Sequence, residues 1–116
     1  MWKHAEPLPQ TDEQLLAGYK SGHTNDFRIL VERYRQPLAN YLFRLVRDTH
    51  AVEDLFQEVF LSIHRSLDTF NFSRRFKPWV YAIATNLARD EMRRRQQAAL
   101  TVLDGTGDEQ GGLYHQ

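Results

Sequence analysis

Apolar residues recur at helical spacing along most of this chain, and no segment alternates apolar and polar residues as a strand does. The clearest stripe lies between residues 52 and 67. Its apolar members are Val52, Leu55, Phe56, Val59, Phe60, Ile63 and Leu67. Similar stripes precede and follow this one. The sequence therefore predicts an all-α protein, a compact bundle of three to four helices with a flexible C-terminal tail.

Polar residues and one proline mark where the predicted helices begin and where one of them is interrupted. Thr11 or Asp12 is the expected N-cap of the first helix, and Asp48 or Thr49 is the expected N-cap of the third. Pro37 lies inside the second apolar pattern, where it removes a backbone hydrogen bond. The second helix is therefore expected either to kink at this proline or to divide there.

Length and composition favour one domain with a modest core, since the chain has 116 residues and is 41% hydrophobic. We expect an N-terminal extension over residues 1–10, a helical domain over 11–95, and a linker or disordered tail over 96–116. Cysteine is absent, which excludes disulfides and thiol chemistry. No signal region or bilayer-length apolar run is present, so a cytoplasmic location without membrane insertion is expected.

The formal net charge is zero, but the charges are unevenly distributed. Residues 1–73 hold 8 Lys/Arg against 10 Asp/Glu, residues 74–95 hold 7 against 2, and residues 96–116 hold none against 3. A basic segment in a near-neutral chain indicates an anionic partner at one place. A solvated basic helix end is the alternative, and Arg94 and Arg95 are expected mainly to complement a helix dipole at a C-terminus.

The basic segment begins in a stretch without helical or strand periodicity, "TFNFSRRFKPW". Rings that stack on unpaired bases, beside cations that hold the backbone, are typical of single-stranded nucleic-acid binding. Phe70 or Phe72 is alternatively a core residue that closes the bundle, and Trp79 is alternatively wedged between helices. Pro78 fits the first turn of the last helix, because an amide N–H is dispensable there.

The last helix carries polar residues that core packing does not explain. Opposite its apolar side fall Asn86, Arg89 and Arg93, with Trp79 and Asp90 along the edge. Two arginines and an amide on one exposed ridge are able to contact phosphate oxygens and base edges. Together with the preceding loop, this ridge predicts a nucleic-acid surface.

The third helix also carries an unexplained face, opposite its apolar stripe. Asp54, Glu58, Leu61 and Arg65 share this face, and Gln57 lies at its flank. Like charges four residues apart cost an isolated helix roughly 0.2–0.5 kcal/mol. Acid–base catalysis needs a sheltered pocket, which an outward helix face does not offer. The face is therefore either solvated surface or a docking surface for a basic, partly apolar partner.

Sequence motifs of catalysis and of metal binding are missing. The five histidines have no ligand spacing, and neither a P-loop nor a nucleophile elbow is present. We expect no enzymatic activity, no cofactor and no bound metal.

Two blocks of residues resemble a known family: "AVEDLFQEVFLSIHRSLDTF" and "FKPWVYAIATNLARDEMRRR". In order and separation they are similar to region 2 of the extracytoplasmic-function (ECF) group of bacterial sigma factors, and residues 11–95 carry the resemblance. It implies a transcription initiation domain that docks on RNA polymerase and recognises and helps to melt the promoter −10 element by capturing a flipped base. The alternatives are an interaction module regulated by an anti-sigma factor and a nonspecific binder of single-stranded nucleic acid.

The resemblance also implies a partner for each face. Asp54, Gln57 and Glu58 match the motif that docks on the clamp helices of the RNA polymerase β′ subunit, and Leu61 and Arg65 are added from the shared face. The expected contacts to the −10 non-template strand are Phe70, Asn71, Phe72, Arg74, Arg75, Phe76, Lys77, Trp79, Asn86, Arg89, Asp90 and Arg93. An anti-sigma factor is a further expected partner. The family normally carries a second helical domain that reads the −35 element.

Overall fold

The computed structural model describes residues 9–104, and these residues form helices joined by short connections. The helices are α1 (Asp12–Lys20), α2 (Thr24–Val46), α3 (Thr49–Arg65) and α4 (Phe76–Leu103), and a 3₁₀ turn spans Leu67–Thr69. No strand occurs in this part of the chain, and none of its helices has the length and apolar character needed to cross a membrane. The predicted all-α bundle of three to four helices is confirmed.

Local sequence signals place the ends of α1 and the start of α3. Thr11 is the N-cap of α1: its hydroxyl accepts the Gln14 N–H at 3.1 Å, and the Gln14 side chain accepts the Thr11 N–H at 2.8 Å. Asp48 is the N-cap of α3, accepting from two backbone N–H groups. Gly22 turns the chain between α1 and α2 with φ of 103°, which a residue with a Cβ rarely adopts.

Pro37 lies inside α2, which runs undivided from Thr24 to Val46. Of the two expected outcomes, a divided helix is therefore excluded. Buried residues on both sides of the proline hold the helix to the bundle, since Leu30 and Leu42 are both fully buried. Their burial, at about 1.5–3 kcal/mol for each side chain, offsets the backbone hydrogen bond that the proline removes.

The core lies where the four helices meet, and α2 packs against each of the other three. The predicted apolar stripe of α3 faces this core, with Val59 and Ile63 fully buried. The largest fully buried side chains are Phe76, Leu15, Leu16, Leu30, Leu38, Leu42, Ile63, Val59 and Val80. The last helix joins through Val80, Ala84 and Ala88, small residues that allow its backbone to come close to its neighbours.

Helix α4 continues beyond Arg95, where the apolar pattern predicted its end, and reaches Leu103. The extra segment, "QQAALTVL", is rich in good helix formers. It buries little, since Leu100 is 54% exposed and Leu103 is 80% exposed. The spacing of apolar residues indicates which part of a helix is buried, not how far the helix extends. The apolar pattern therefore ends near Arg95, whereas α4 continues to Leu103. The remainder of the predicted tail, 105–116, and residues 1–8 of the predicted extension lie outside the described residues.

Candidate nucleic-acid interface

A cleft opens between the end of α3, the segment that connects α3 to α4, and the first turns of α4. Its volume is about 880 Å³. Its lining residues are Ser62, Ser66, Thr69, Phe70, Asn71, Arg74, Arg75, Pro78, Trp79, Ala82, Ile83, Asn86 and Leu87. The cleft thus brings together aromatic rings, two arginines and two asparagines from the connecting segment and from α4.

A local turn shapes the connecting segment. The Asn71 side-chain oxygen accepts the Ser73 backbone N–H at 2.9 Å and the Ser73 hydroxyl at 2.6 Å. The Asn71 carbonyl accepts the Arg74 N–H at 2.9 Å. This is the asparagine turn that competes locally with helix formation, and it leaves Arg74 and Arg75 exposed at the mouth of the cleft.

Three rings pack on one another at the edge of the cleft, which Phe70 and Trp79 line and which Phe72 adjoins through Phe70. The Phe70 ring lies between Phe72, edge-on at a centroid distance of 4.9 Å, and Trp79, at 4.6 Å. Phe70 is buried, Trp79 is half-buried, and Phe72 is 36% exposed. The Lys20 ammonium of α1 lies 5.6 Å from the centre of the Phe72 ring. Phe70 thus supports Phe72 and Trp79, whose accessible faces remain available to a ligand.

The prediction that Phe76 contacts DNA is wrong for this conformation. Its side chain is fully buried and packs edge-on against Tyr34, at 5.5 Å, and against Trp79, at 5.9 Å. Because α4 begins at Phe76 rather than at Pro78, this ring belongs to the first helical turn and faces the core. Lys77, the next residue, is exposed and beside the cleft.

Glu13 is a residue that sequence reasoning missed. Its Oε2 accepts the backbone N–H of Phe76 at 2.6 Å, although the two residues are 63 positions apart. Arg75, the N-cap of α4, offers no side-chain hydrogen bond of its own. A carboxylate from α1 therefore caps the helix that carries the cleft, and it lies where the positive end of the helix dipole favours it. No local motif marks such a cap.

The structure divides the predicted ridge of α4 between two grooves. Asn86 lines the cleft, on the side of α3. Arg89 and Arg93 line a second groove, on the side of α2, and we call it the arginine groove. Arg93 pairs with Asp90 at 3.1 Å. Asp90 in turn lines a depression between α3 and α4 that also includes Asp54 and Glu58.

The predicted docking face of α3 is accessible. Asp54, Gln57, Leu61 and Arg65 are exposed and Glu58 is half-exposed, with Leu61 at 49%. The Arg65 guanidinium donates to the Glu58 carboxylate at 3.0 Å, from two turns farther along the same face. This ion pair reduces the repulsion between Glu58 and Asp54. Gln57 and Leu61 line a shallow apolar groove toward α1 and α2, so the face combines carboxylates with an apolar flank.

Arg94 and Arg95 do not lie at a helix end, so the dipole explanation for them is wrong. Both pair with Glu91, and Arg95 also reaches Asp48 at 3.0 Å. The Ala51 and His50 backbone N–H groups and the Arg95 guanidinium together hold the pKa of the Asp48 carboxyl below its ordinary value, the Ala51 bond contributing most. Arg95 therefore joins α4 to the start of α3.

The described residues contain no group of three or more potential metal ligands close enough to hold an ion. The geometry instead provides a concave surface lined by aromatic rings, asparagine amides and arginines, together with a separate face of exposed carboxylates. The concave surface lies on the end of α3, the connecting segment and α4. The carboxylate face lies on α3.

Residues 30–98, which span most of α2, all of α3 and most of α4, match the model of the family described as Sigma-70 region 2. The chain belongs to the sigma-70 region 2 family. This region 2 domain is 30% identical to the ECF RNA polymerase sigma factor SigW of Bacillus subtilis over 97 residues, 84% of this chain and 52% of that protein. It is 31% identical to the ECF RNA polymerase sigma-E factor of Escherichia coli K12, over 88% of this chain and 55% of that protein.

These relatives place the domain in the ECF group of sigma factors. The chain spans about half the length of the curated relatives it matches. A solved structure has the same fold: the NMR structure of an engineered region 2 of sigmaE in complex with GTAAAA, with a TM-score of 0.71. It is 32% identical and covers 79% of this chain and 96% of the other.

Proposed function

We propose that this region 2 domain recognises the promoter −10 element as a single strand and helps to melt it by holding one extruded base in the cleft. The observation that carries this proposal is the composition of the cleft, where half-buried Trp79 and the Asn86 amide lie beside Arg74 and Arg75. The exposed Phe72 ring lies next to the cleft, packed on the lining residue Phe70. Its volume of about 880 Å³ is within the range of small-ligand sites, roughly 300–1,000 Å³.

Each group in the cleft or at its edge has a separate task in this mechanism. The rings of Phe72 and Trp79 stack on unpaired bases, which contributes roughly 1–3 kcal/mol per base. The Asn86 amide can donate to and accept from a base edge, which gives sequence preference. Arg74 and Arg75 hold the backbone phosphates at the mouth. Together these contacts offset the few kcal/mol that unstacking and unpairing a base costs.

We further propose that the face of α3 docks the domain on RNA polymerase, at the clamp helices of the β′ subunit. The exposed carboxylates of Asp54 and Glu58 beside the exposed Leu61 support a partner that is basic and partly apolar. The domain would thereby be held on polymerase while the cleft engages the opened strand. Regulation by an anti-sigma factor stays a prediction from the family resemblance.

The test of base capture is fluorescence anisotropy with labelled single-stranded hexamers, beginning with GTAAAA and replacing each base in turn. We expect affinity to fall about tenfold or more, about 1.4 kcal/mol, at one or two positions and little at the others. Asn86→Ala should reduce the preference at one of those positions. Asn40→Ala, an exposed asparagine on α2, is the matched control.

A flat profile would contradict base capture. Equal affinity for all hexamers, with only a salt dependence, would make the domain a nonspecific single-strand binder. No binding to any hexamer, even with core polymerase present, would exclude the promoter proposal.

A further inference from the structure

We propose that Lys20, in the last turn of α1, determines base specificity at the edge of the cleft. Its ammonium favours a base with carbonyl acceptors, guanine or thymine, at the position that stacks on Phe72. This inference rests on the proposed function and deepens it. The Lys20 ammonium lies 5.6 Å from the centre of the Phe72 ring, although the two residues are far apart in sequence. None of the DNA contacts expected from the sequence lies on α1.

The end of α1 that carries Lys20 is fixed to two other helices. Leu16 is fully buried. The Tyr19 ring stacks on the Phe27 ring of α2 at a centroid distance of 4.3 Å, and the Tyr19 hydroxyl is hydrogen-bonded to Nδ1 of His64 on α3 at 2.7 Å. Because Tyr19 directly precedes Lys20, the Lys20 backbone is held in one place. The ammonium therefore moves only as far as its own side chain reaches.

A lysine in the last turn of a helix has an ordinary structural explanation, since a cation there complements the dipole. Backbone N–H groups already donate to the last carbonyls of α1 at 2.9–3.0 Å, from Ser21 to Ala17, from His23 to Gly18 and from Gly22 to Tyr19. The Lys20 side chain is exposed, and its ammonium has no carboxylate partner among the described residues. It is thus available to a ligand that supplies acceptors.

The Phe72 ring keeps its support when the ammonium leaves it. The edge-on contact between Phe72 and the buried Phe70, at 4.9 Å, does not involve Lys20. A cation over an exposed ring is held weakly, because water competes for it. A base gains more by stacking on the ring, and so takes the place of the ammonium. The flexible four-carbon stem of the lysine then carries the ammonium to the edge of that base.

The chemistry of the base edge decides whether this contact forms. An ammonium has three donors and no acceptor. Guanine presents O6 and N7 as adjacent acceptors, and thymine presents O4. Adenine instead places its N6 amino donor beside N7, and cytosine presents its N4 amino donor. Lys20 therefore favours guanine and thymine over adenine and cytosine at the position that stacks on Phe72.

This preference differs from that of Asn86. The Asn86 amide both donates and accepts, and it lines the cleft itself. Phe72 adjoins the cleft through Phe70. The base held in the cleft and the base stacked on Phe72 are therefore neighbours in the strand, and their preferences fall on two different positions of a hexamer.

The experiment is fluorescence anisotropy on the full chain with labelled single-stranded hexamers, starting from GTAAAA and placing each base in turn at every position. At one position we expect guanine and thymine to bind at least about fivefold more tightly than adenine and cytosine. Lys20→Met keeps the side-chain length without the charge, and should reduce this ratio to within about twofold while leaving the other positions unchanged. Lys20→Arg, which has donors only, should retain the preference.

Two modified bases at that position test which atom is recognised. Inosine keeps the O6 and N7 acceptors of guanine and lacks only its 2-amino group, so it should bind as guanine does. The analogue 2-aminopurine lacks O6 and should bind as weakly as adenine. The opposite order would mean that the amino group of guanine is recognised rather than its carbonyl, and would overturn the inference.

The matched control is Arg35→Met on α2, which also removes one exposed cation over a phenylalanine ring, 5.4 Å from the centre of Phe56. Arg35 lines the apolar groove toward α1 and α2 rather than the cleft. The control has the same net charge as Lys20→Met and should keep the wild-type base profile. An equal loss of preference in the control overturns the inference. Circular dichroism melting checks that both variants are folded.

A salt series separates recognition of a base from binding of a phosphate. If Lys20→Met weakens every hexamer equally and lowers the salt slope by about 0.7, Lys20 contacts a phosphate and the inference is overturned. Unchanged affinity and profile in Lys20→Met also overturn it and leave the lysine to the helix dipole.

The same base profile separates this inference from the proposed function. A flat wild-type profile overturns base capture and this inference together. A profile that keeps a preference sensitive to Asn86→Ala, but shows no position at which Lys20→Met matters, overturns this inference alone and leaves base capture intact.

Discussion

Three phenylalanines near one another in sequence have three different environments in the bundle. Phe76 is fully buried, Phe70 is 8% exposed against Trp79, and Phe72 is 36% exposed. Their order along an irregular segment gives no indication of this, since no periodicity applies there. The division follows from where α4 begins and from the asparagine turn at Asn71. Among these three phenylalanines and Trp79, the rings with accessible faces are therefore those of Phe72 and Trp79.

Substitution by alanine distinguishes the buried ring from the exposed one. Phe76→Ala should reduce the free energy of unfolding by about 3–5 kcal/mol, as expected for a buried phenylalanine. Phe72→Ala should cost less than about 1 kcal/mol of stability, as expected near the surface. It should nevertheless weaken hexamer binding by about 1–3 kcal/mol through lost stacking. Urea unfolding and anisotropy measure the two effects.

The opposite pattern would contradict these placements. If Phe72→Ala unfolds the domain as readily as Phe76→Ala, the Phe72 ring is a core residue. If the stable Phe72→Ala domain binds hexamers with wild-type affinity, stacking on Phe72 is not part of recognition.

At the scale of the elements, the contacts that shape the interface join helices distant in sequence. The N-terminus of α4 is capped by Glu13 of α1 rather than by its own N-cap residue. The outward ridge of α4 is divided, with Asn86 toward α3 and Arg89 toward α2. Helical geometry places both residues opposite the core, but it does not say which neighbour each one meets.

Removal of the Glu13 carboxylate tests the cap. Glu13→Ala should lower stability by about 0.5–2 kcal/mol, the usual cost of losing an N-cap acceptor. It should also speed hydrogen exchange at the Phe76 amide, because that N–H loses its partner. Glu13→Gln keeps an acceptor oxygen and should restore most of the protection. Exchange measured by NMR, with the exposed Glu53→Ala as control, reports both effects.

Unchanged protection of the Phe76 amide in Glu13→Ala would show that α4 begins in the same way without α1. The bond between α1 and the cleft would then have no role in positioning the interface.

At the scale of the whole molecule, the two proposed interfaces use different sides of the domain. The cleft opens between the α3–α4 connection and α4, whereas Asp54 and Glu58 lie farther toward the start of α3. Among the described residues, the depression that contains these two carboxylates and the cleft have one lining residue in common, Leu87. The two proposed interfaces therefore leave room for two partners at the same time.

Separate substitutions should therefore have separate effects. Asp54→Ala with Glu58→Ala should weaken binding to core polymerase on the order of tenfold, at up to about 1 kcal/mol for each exposed charge. Hexamer affinity should remain unchanged. Glu53→Ala with Glu32→Ala, another exposed acidic pair, is the matched control. Loss of both activities together would indicate misfolding or a wrong assignment of the docking face.

The sequence by itself determined the helical class, the core-facing stripe of α3 and the accessible carboxylate face. It also limited each of two N-caps to a pair of neighbouring residues, of which the structure selects Thr11 and Asp48. These features depend on residues within a few positions of one another, which helical periodicity and capping motifs report directly. Tertiary structure alone decided which rings are buried, how the ridge of α4 is divided, and that Glu13 caps α4. Those outcomes depend on contacts between residues distant in the chain, which no local pattern specifies.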